Sequence, residues 1–211
     1  MSQLEKLSAG VAAAHLQVSA ESQSKLIRYL ELLLKWNKVH NLTAVRDPDE
    51  MVTLHLLDSL VVLPYIKVKR LLDVGSGAGF PGIVLAICLP DLHVTTVDSV
   101  QKKATFMRQA KAELQLDNLQ VVSGRVEQFK PADKFDVVIS RAFSDLNLFV
   151  DLTRHLIADQ GAWFAMKGVY PVDELAALKV KTGLEPSFVH ELKVPGLDAK
   201  RHLVILPNNL K

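Results

Sequence analysis

One acid and three alternating glycines, Asp73-x-Gly75-x-Gly77-x-Gly79, stand directly behind a short apolar run in LLDVGSGAGFPG, residues 71–82. Glycine has no Cβ and takes positive φ at little steric cost, so a loop of this composition lets a ligand press against bare backbone. In an open α/β sheet, the loop after the first strand is a place where ligands bind. The neighbours narrow the choice of ligand. No Lys followed by Ser or Thr closes the loop, which excludes the GxxxxGK(S/T) phosphate loop. Gly77 to Gly82 does read G-x-G-x-x-G, the dinucleotide pattern, but the strand ends before Gly75 rather than before Gly77. Asp73 also puts a negative charge where a pyrophosphate would lie. An acid there suits a cationic ligand better, and a nicotinamide-dependent oxidoreductase stands as the rival reading.

Such a loop needs a strand before it, a helix after it and a sheet beneath both. Strand-like runs RLLDVG, HVTTVDS, LQVVSG, FDVVIS and AWFAMKG alternate with helical stretches PGIVLAICL, SVQKKATFMRQAKAEL, SDLNLFVDLTRHLI and VDELAALKVKT. That alternation predicts a Rossmann-like α/β fold, a mostly parallel sheet with helices on both faces. Pro81 suits the first turn of the helix after the loop. The last two runs, PSFVHELKVP and RHLVILP, are joined through GLDAK and predict a hairpin, so the sheet ends with an antiparallel C-terminal strand. Ahead of the loop, Ser19 is placed to cap a helix carrying Leu26, Ile27, Leu30, Leu33 and Leu34 on one face. Asp47 caps a second, with Pro48 in its first position and Asp49 and Glu50 facing the positive end of its dipole. Residues 1–66 are therefore expected to form a helical cap, and residues 67–211 the α/β domain that carries the loop.

The chain has 211 residues, 49% of them hydrophobic, enough for one sizeable core. Its single cysteine, Cys88, can form no internal disulfide, and the polar start MSQLEKLSAG lacks the pattern of a secretion signal. Apolar runs such as LLDSLVVLPYI are broken by Asp58 and Pro64 and fall short of the roughly 20 residues of a membrane span. The expectation is a cytoplasmic monomer with no membrane partner. The net charge is +2, and residues 67–211 hold nineteen basic against sixteen acidic side chains. A nucleic-acid partner would thus be met by a local patch. The histidines show no metal-ligand spacing, and no metal is expected.

S-adenosylmethionine (SAM) is a cationic ligand without phosphate, and the Asp73 to Gly79 pattern resembles the first motif of class I SAM-dependent methyltransferases. Asp98, 23 residues after Gly75 at the end of HVTTVDS, is placed to accept both ribose hydroxyl hydrogens. By the same resemblance, Val126 and Glu127 in SGRVEQF stand where the adenine ring is held. The segment after the fourth strand, ISRAFSD, lacks the Asn/Asp-Pro-Pro-aromatic loop that accompanies attack by an exocyclic amine. Pyrimidine C5 chemistry needs a cysteine nucleophile, and Cys88 lies inside the helix after the loop. A ring nitrogen with an in-plane lone pair, such as guanine N7, needs neither device. Arg141, at the strand's carboxyl end, is the catalytic candidate, offering a guanidinium to an RNA phosphate or to guanine O6. Lys167 and Arg125 are further basic candidates.

The longer run LLDVGSGAGFPGIVLAICLPDLHVTTVDSVQKKATFMRQ, followed by SGRVEQF, FDVVISRAF and MKG and preceded by WNKVHNLTAVRD and HLLDSL, is similar to the RsmG family, also called GidB. The resemblance covers nearly the whole chain. It implies transfer of a methyl group from SAM to N7 of a guanine in the 530 loop of 16S rRNA, in the small ribosomal subunit. It also implies Gly75, Phe80, Val126, Glu127 and Arg141 as SAM contacts, beside Asp73, Gly77, Gly79 and Asp98 from the loop and the second strand. His55 and Asp58 share a helical face, as do Asn37 and Asn41, and either line the substrate side or tie the cap to the domain. Lys67, Lys69, Arg70, Arg125, Arg141, Lys167 and Arg201 are the candidates for the RNA patch. A factor that binds RNA and holds SAM without turnover is the second rival.

Overall fold

Two capped helices open the chain. In the computed structural model, which describes residues 1–141 and 143–209, they are α1 (Gln3–Ala13) and α2 (Ala20–His40). The start of α1 is written as a capping box, with Ser2 Oγ accepting from Glu5 N–H and Glu5 accepting back from Ser2 N–H. Ser19 caps α2 as expected, accepting from Ser22 N–H. Asp47 accepts from Asp49 and Glu50 N–H at the head of α3 (Pro48–Met51), which runs without a break through a π-helical stretch, Val52–Leu57, into α4 (Asp58–Leu60). Wide π-helical turns are rare and often mark functional sites.

The α/β segment follows as β1 (Arg70–Val74), α5 (Gly82–Cys88), β2 (His93–Asp98), α6 (Gln101–Leu114), β3 (Leu119–Ser123), β4 (Phe135–Arg141), α7 (Leu146–Thr153), β5 (Ile157–Lys167), α8 (Val172–Thr182), β6 (Phe188–Leu192) and β7 (Arg201–Pro207). The strands order as β3-β2-β1-β4-β5-β7-β6, with β7 antiparallel to both neighbours. The antiparallel strand thus lies inside the sheet, because the β6–β7 hairpin lays β7 against β5 and leaves β6 at the edge. The chain reverses direction across the sheet between β1 and β4, and the crevice at that switch point is where the glycine loop emerges.

Period-two alternation sorts the strands' side chains into two layers. Leu71, Val137 and Ile139 face the first layer with α5 and α6, and Leu72, Val74 and Val138 face the second with α7 and α8. In the first layer, Leu7, Leu26, Leu33 and Leu57 join Ile83 and Phe106 in one apolar cluster. The N-terminal helices and the sheet therefore share a core. Among the described residues, no helix is long and apolar enough to cross a membrane.

Candidate active site

The loop after β1 turns through Gly75, Gly77 and Gly79, with φ of +66°, +62° and +96°. Gly75 N–H donates to Val97 O at 2.8 Å, and Gly77 N–H to Asp98 Oδ2 at 2.8 Å. Asp98 Oδ1 accepts from Val100 N–H at 2.8 Å, so one carboxylate pins the loop to the end of β2. The three glycines differ in what they face. A Cβ on Gly75 or Gly77 would meet nothing within 4 Å, whereas one on Gly79 would come within 2.5 Å of Ile83 Cδ1 and 2.8 Å of the Tyr29 hydroxyl. Gly75 and Gly77 border open space, whereas the side-chain direction of Gly79 is filled by packing.

The side chain of Asp73 is fully buried beneath the loop, with Oδ2 accepting from Gly82 N–H at 2.9 Å and Oδ1 unpartnered among the described residues. Burial pushes its carboxyl up to about 7 against the pull of the Gly82 N–H. It holds the start of α5 against β1. Behind the loop, the Tyr29 hydroxyl of α2 donates to Ala78 O, and its ring packs 5.3 Å from that of Phe80.

Two cavities meet at this loop, and a third adjoins the second of them. A cleft of about 730 Å³ runs along the ends of β1, β2 and β3, lined by Gly75, Asp98, Gly124, Val126, Glu127 and Phe143 among others. Across Gly75 lies a smaller space of about 190 Å³, bounded by Thr43, His55, Gly77, Phe80 and Arg141. His55 and Arg141 also line the third, of about 380 Å³, with Asp58, Met166 and Arg201. The first two share Gly75 and the last two share His55 and Arg141, so the three follow one another along a path over the carboxyl ends of the strands. Arg125, with its side chain 71% exposed, stands on the rim of the cleft, 3.4 Å from Glu127.

Arg141 ends β4 at the centre of this path. Its Nη1 donates to Asp58 Oδ2 at 3.0 Å and to Leu54 O, in the π-helical stretch, at 3.1 Å. The guanidinium lies 5.2 Å from the Phe80 ring centroid, within cation–π range. Arg201 Nε donates to the other oxygen of Asp58 at 2.7 Å, so one buried carboxylate joins β4, β7 and the helical segment. The His55 ring stacks on Phe80 at 4.7 Å, and its Nε2 lies 2.9 Å from Thr43 Oγ1. Burial, reinforced by the charge of Arg141, holds the imidazole down to about 4, which keeps it neutral at neutral pH. His55 and Asp58 thus both line the site and tie the helices to the sheet.

Lys167 also lines the third cavity. Its Nζ is directed to Glu174 Oε2 at 2.7 Å, Glu174 Oε1 at 3.0 Å and Phe143 O at 3.0 Å, with its side chain only 10% exposed, so its ammonium is engaged in an ion pair within the chain. Arg70, with Lys67 and Lys69 before it, sits at the opposite end of β1 from the loop and pairs with Asp133 at 3.3 Å. Asn37 Oδ1 accepts from Leu42 and Thr43 N–H and shapes the turn after α2, while Asn41 ends that helix in the left-handed region. Thr43 carried no signal in the sequence beyond its place in NLT.

The chain matches the family model of GidB, described as rRNA small subunit methyltransferase G, over residues 22–204. The chain belongs to the GidB family. Relatives include the ribosomal RNA small subunit methyltransferase G of Methylobacillus flagellatus, 66% identical over 96% of this chain and 97% of the relative. The protein of that name from Neisseria meningitidis serogroup A is 52% identical over 98% of this chain and 99% of the relative. Among solved structures, the chain resembles a SAM-dependent methyltransferase from Aquifex aeolicus, with a TM-score of 0.58 at 18% identity over 82% of this chain and 96% of the other. It also resembles the N-methyltransferase NodS from Bradyrhizobium japonicum, solved with S-adenosyl-L-homocysteine, with a TM-score of 0.55 at 14% identity over 83% and 99% of the two chains. These two likenesses show the fold of the chain.

Proposed function

We propose that this chain transfers the methyl group of SAM to N7 of a guanine in the 530 loop of 16S rRNA, within the small ribosomal subunit or its RNA. The observation that carries the proposal is that the β1–β3 cleft and the pocket at Phe80 and Arg141 lie on either side of Gly75, which lines both. The residues present fit SAM. The open Cβ directions of Gly75 and Gly77 leave room for a ligand against backbone, and each Asp98 oxygen keeps a second lone pair for a ribose hydroxyl. Val126 and Glu127 flank the far end of the cleft, where the adenine belongs. When bound, SAM supplies a methyl group made electrophilic by its sulfonium.

The chain's own contribution is orientation. Guanine N7 carries an in-plane lone pair and loses no proton in the transfer, so the site needs positioning rather than a general base. Its side chains agree: His55 is neutral and stacked, and both oxygens of Asp58 are taken by guanidinium donors. Arg141 stands between the cofactor side and the third cavity, with Nε and Nη2 unpartnered among the described residues. Arg125, on the exposed rim, is the basic residue placed to meet the RNA backbone.

The test is transfer of labelled methyl from SAM to small-subunit particles, naked 16S rRNA, large-subunit RNA and tRNA from an unmodified strain. Nucleosides are then identified by mass spectrometry. N7-methylguanosine confined to the small-subunit RNA is expected. Label in another RNA or base overturns the target, and no label anywhere, with SAM bound, leaves a non-catalytic binder. A parallel titration should show binding of SAM and none of NADH.

A further inference from the structure

Resting on that reading, we propose that the cavity lined by Asp58, Arg141, Met166 and Arg201 is the seat of the target base, and that the two arginines, held side by side by Asp58, recognise guanine through O6. The cavity measures about 380 Å³, inside the roughly 300–1,000 Å³ of small-ligand pockets. It shares His55 and Arg141 with the space that adjoins the glycine loop, so a ring seated there lies next to the methyl donor's end of the path. Leu54 and Met166 offer apolar surface, the setting in which enzymes hold a base taken out of its stack.

The polar groups are arranged for one edge of the ring. Asp58 is buried and gives one oxygen to each guanidinium, at 3.0 Å to Arg141 Nη1 and 2.7 Å to Arg201 Nε. That sharing fixes both planar groups. The Nη2 amino group of each remains unpartnered among the described residues, so the cavity presents donors and no competing acceptor from Asp58. On the major-groove edge of guanine, O6 accepts and lies beside N7, whereas adenine places a donor there. Donors aimed at O6 therefore align N7 and reject adenine by an N–H against N–H clash. Asp58 acts through the arginines and is a positioning residue. Lys167 lines the same cavity, with its Nζ turned to Glu174 and Phe143 O.

The experiment uses the full chain and 16S rRNA ligated around a synthetic fragment carrying guanosine, inosine or 2-aminopurine riboside at the target, reconstituted with small-subunit proteins. All three bases have N7. Inosine keeps O6 and lacks the N2 amino group, and 2-aminopurine does the reverse. Inosine is expected within about threefold of guanosine in kcat/KM, and 2-aminopurine to fall roughly 10- to 100-fold, as for loss of a good base-edge contact. Equal methylation of 2-aminopurine and guanosine overturns the inference and hands the arginines to a phosphate; so does a loss confined to inosine. No transfer to the guanosine control overturns the methylation reading itself and this inference with it. In Asp58→Asn, SAM affinity is expected to hold, and the ratio of inosine to 2-aminopurine to collapse towards one. An equal fall for all three bases would mark Asp58 as merely structural, and the wild-type comparison decides the base pocket even if that variant fails to fold.

Discussion

Replacing Gly75 and Gly79 by alanine, one at a time, separates ligand space from packing within a single loop. Both glycines hold positive φ, +66° and +96°, so either alanine is expected to cost about 1–2 kcal/mol of backbone strain. For a chain of this size, that corresponds to a fall in Tm of roughly 2–8 °C. The two then diverge. At Gly75 the new Cβ meets no protein atom within 4 Å and enters the space between the cleft and the Phe80 pocket. SAM affinity should fall at least about tenfold, some 1.4 kcal/mol. At Gly79 the Cβ lies 2.5 Å from Ile83 Cδ1 and 2.8 Å from the Tyr29 hydroxyl, adding about 1–3 kcal/mol of overpacking. Its Tm should drop further than that of Gly75→Ala, while SAM affinity in the protein that remains folded changes less than about threefold. Calorimetric titration with SAM and thermal denaturation of both variants are the assays. Wild-type SAM affinity in Gly75→Ala, or a larger affinity loss in Gly79→Ala than in Gly75→Ala, would refute the division of the loop.

Removing the charge of exposed Arg125 should weaken RNA binding and lower the slope of log K against log salt by about one, with SAM affinity kept; an unchanged slope removes it from the interface. Lys167→Met should leave that slope alone but destabilise by about 1–3 kcal/mol, since Glu174 loses its partner; a reduced slope would restore Lys167 to RNA contact. Asp73, pushed up to about 7 from about 3.9 in an unfolded chain, keeps its proton in the folded state across that interval, so its contribution to stability falls as pH rises through it. Relative to wild type, Asp73→Asn should gain stability with rising pH between about 4 and 7, at up to roughly 1.4 kcal/mol per unit, and a difference independent of pH in denaturant titrations would contradict this. Thr153→Val should cost about 1–3 kcal/mol by orphaning the buried Trp163 N–H, which donates to Thr153 Oγ1 at 2.8 Å; a Tm within 2 °C of wild type would count against it.

Much of this architecture is legible in the sequence because it rests on local rules. Ser19 and Asp47 cap helices through hydrogen bonds to residues two or three positions on, and strand faces alternate at Leu71 and Leu72 as period two requires. The S-x-x-E of Ser2 and Glu5 was a readable helix start as well. What escapes sequence reasoning is set across the chain. Asp58 meets Arg141 over 83 positions and Arg201 over 143, and no spacing rule announces such pairs. Gly75 and Gly79 look alike in sequence, and what distinguishes them is packing against Ile83 and against Tyr29, the latter contributed by a helix far upstream. The ion pair of Lys167 escapes for a similar reason: its partner Glu174 lies seven positions on, across a turn into α8.

The hydrogen bond from Tyr29 to Ala78 has a consequence for how the molecule comes apart. Because α2 grips the glycine loop from behind while sharing the core of α5 and α6, the loop and the N-terminal helices open together rather than separately. Their amides should exchange with solvent in one event, and a ligand seated on the loop should slow exchange in α2 at residues it never touches. A chain trimmed of these helices would thus lose its grip on the methyl donor along with any hold on RNA.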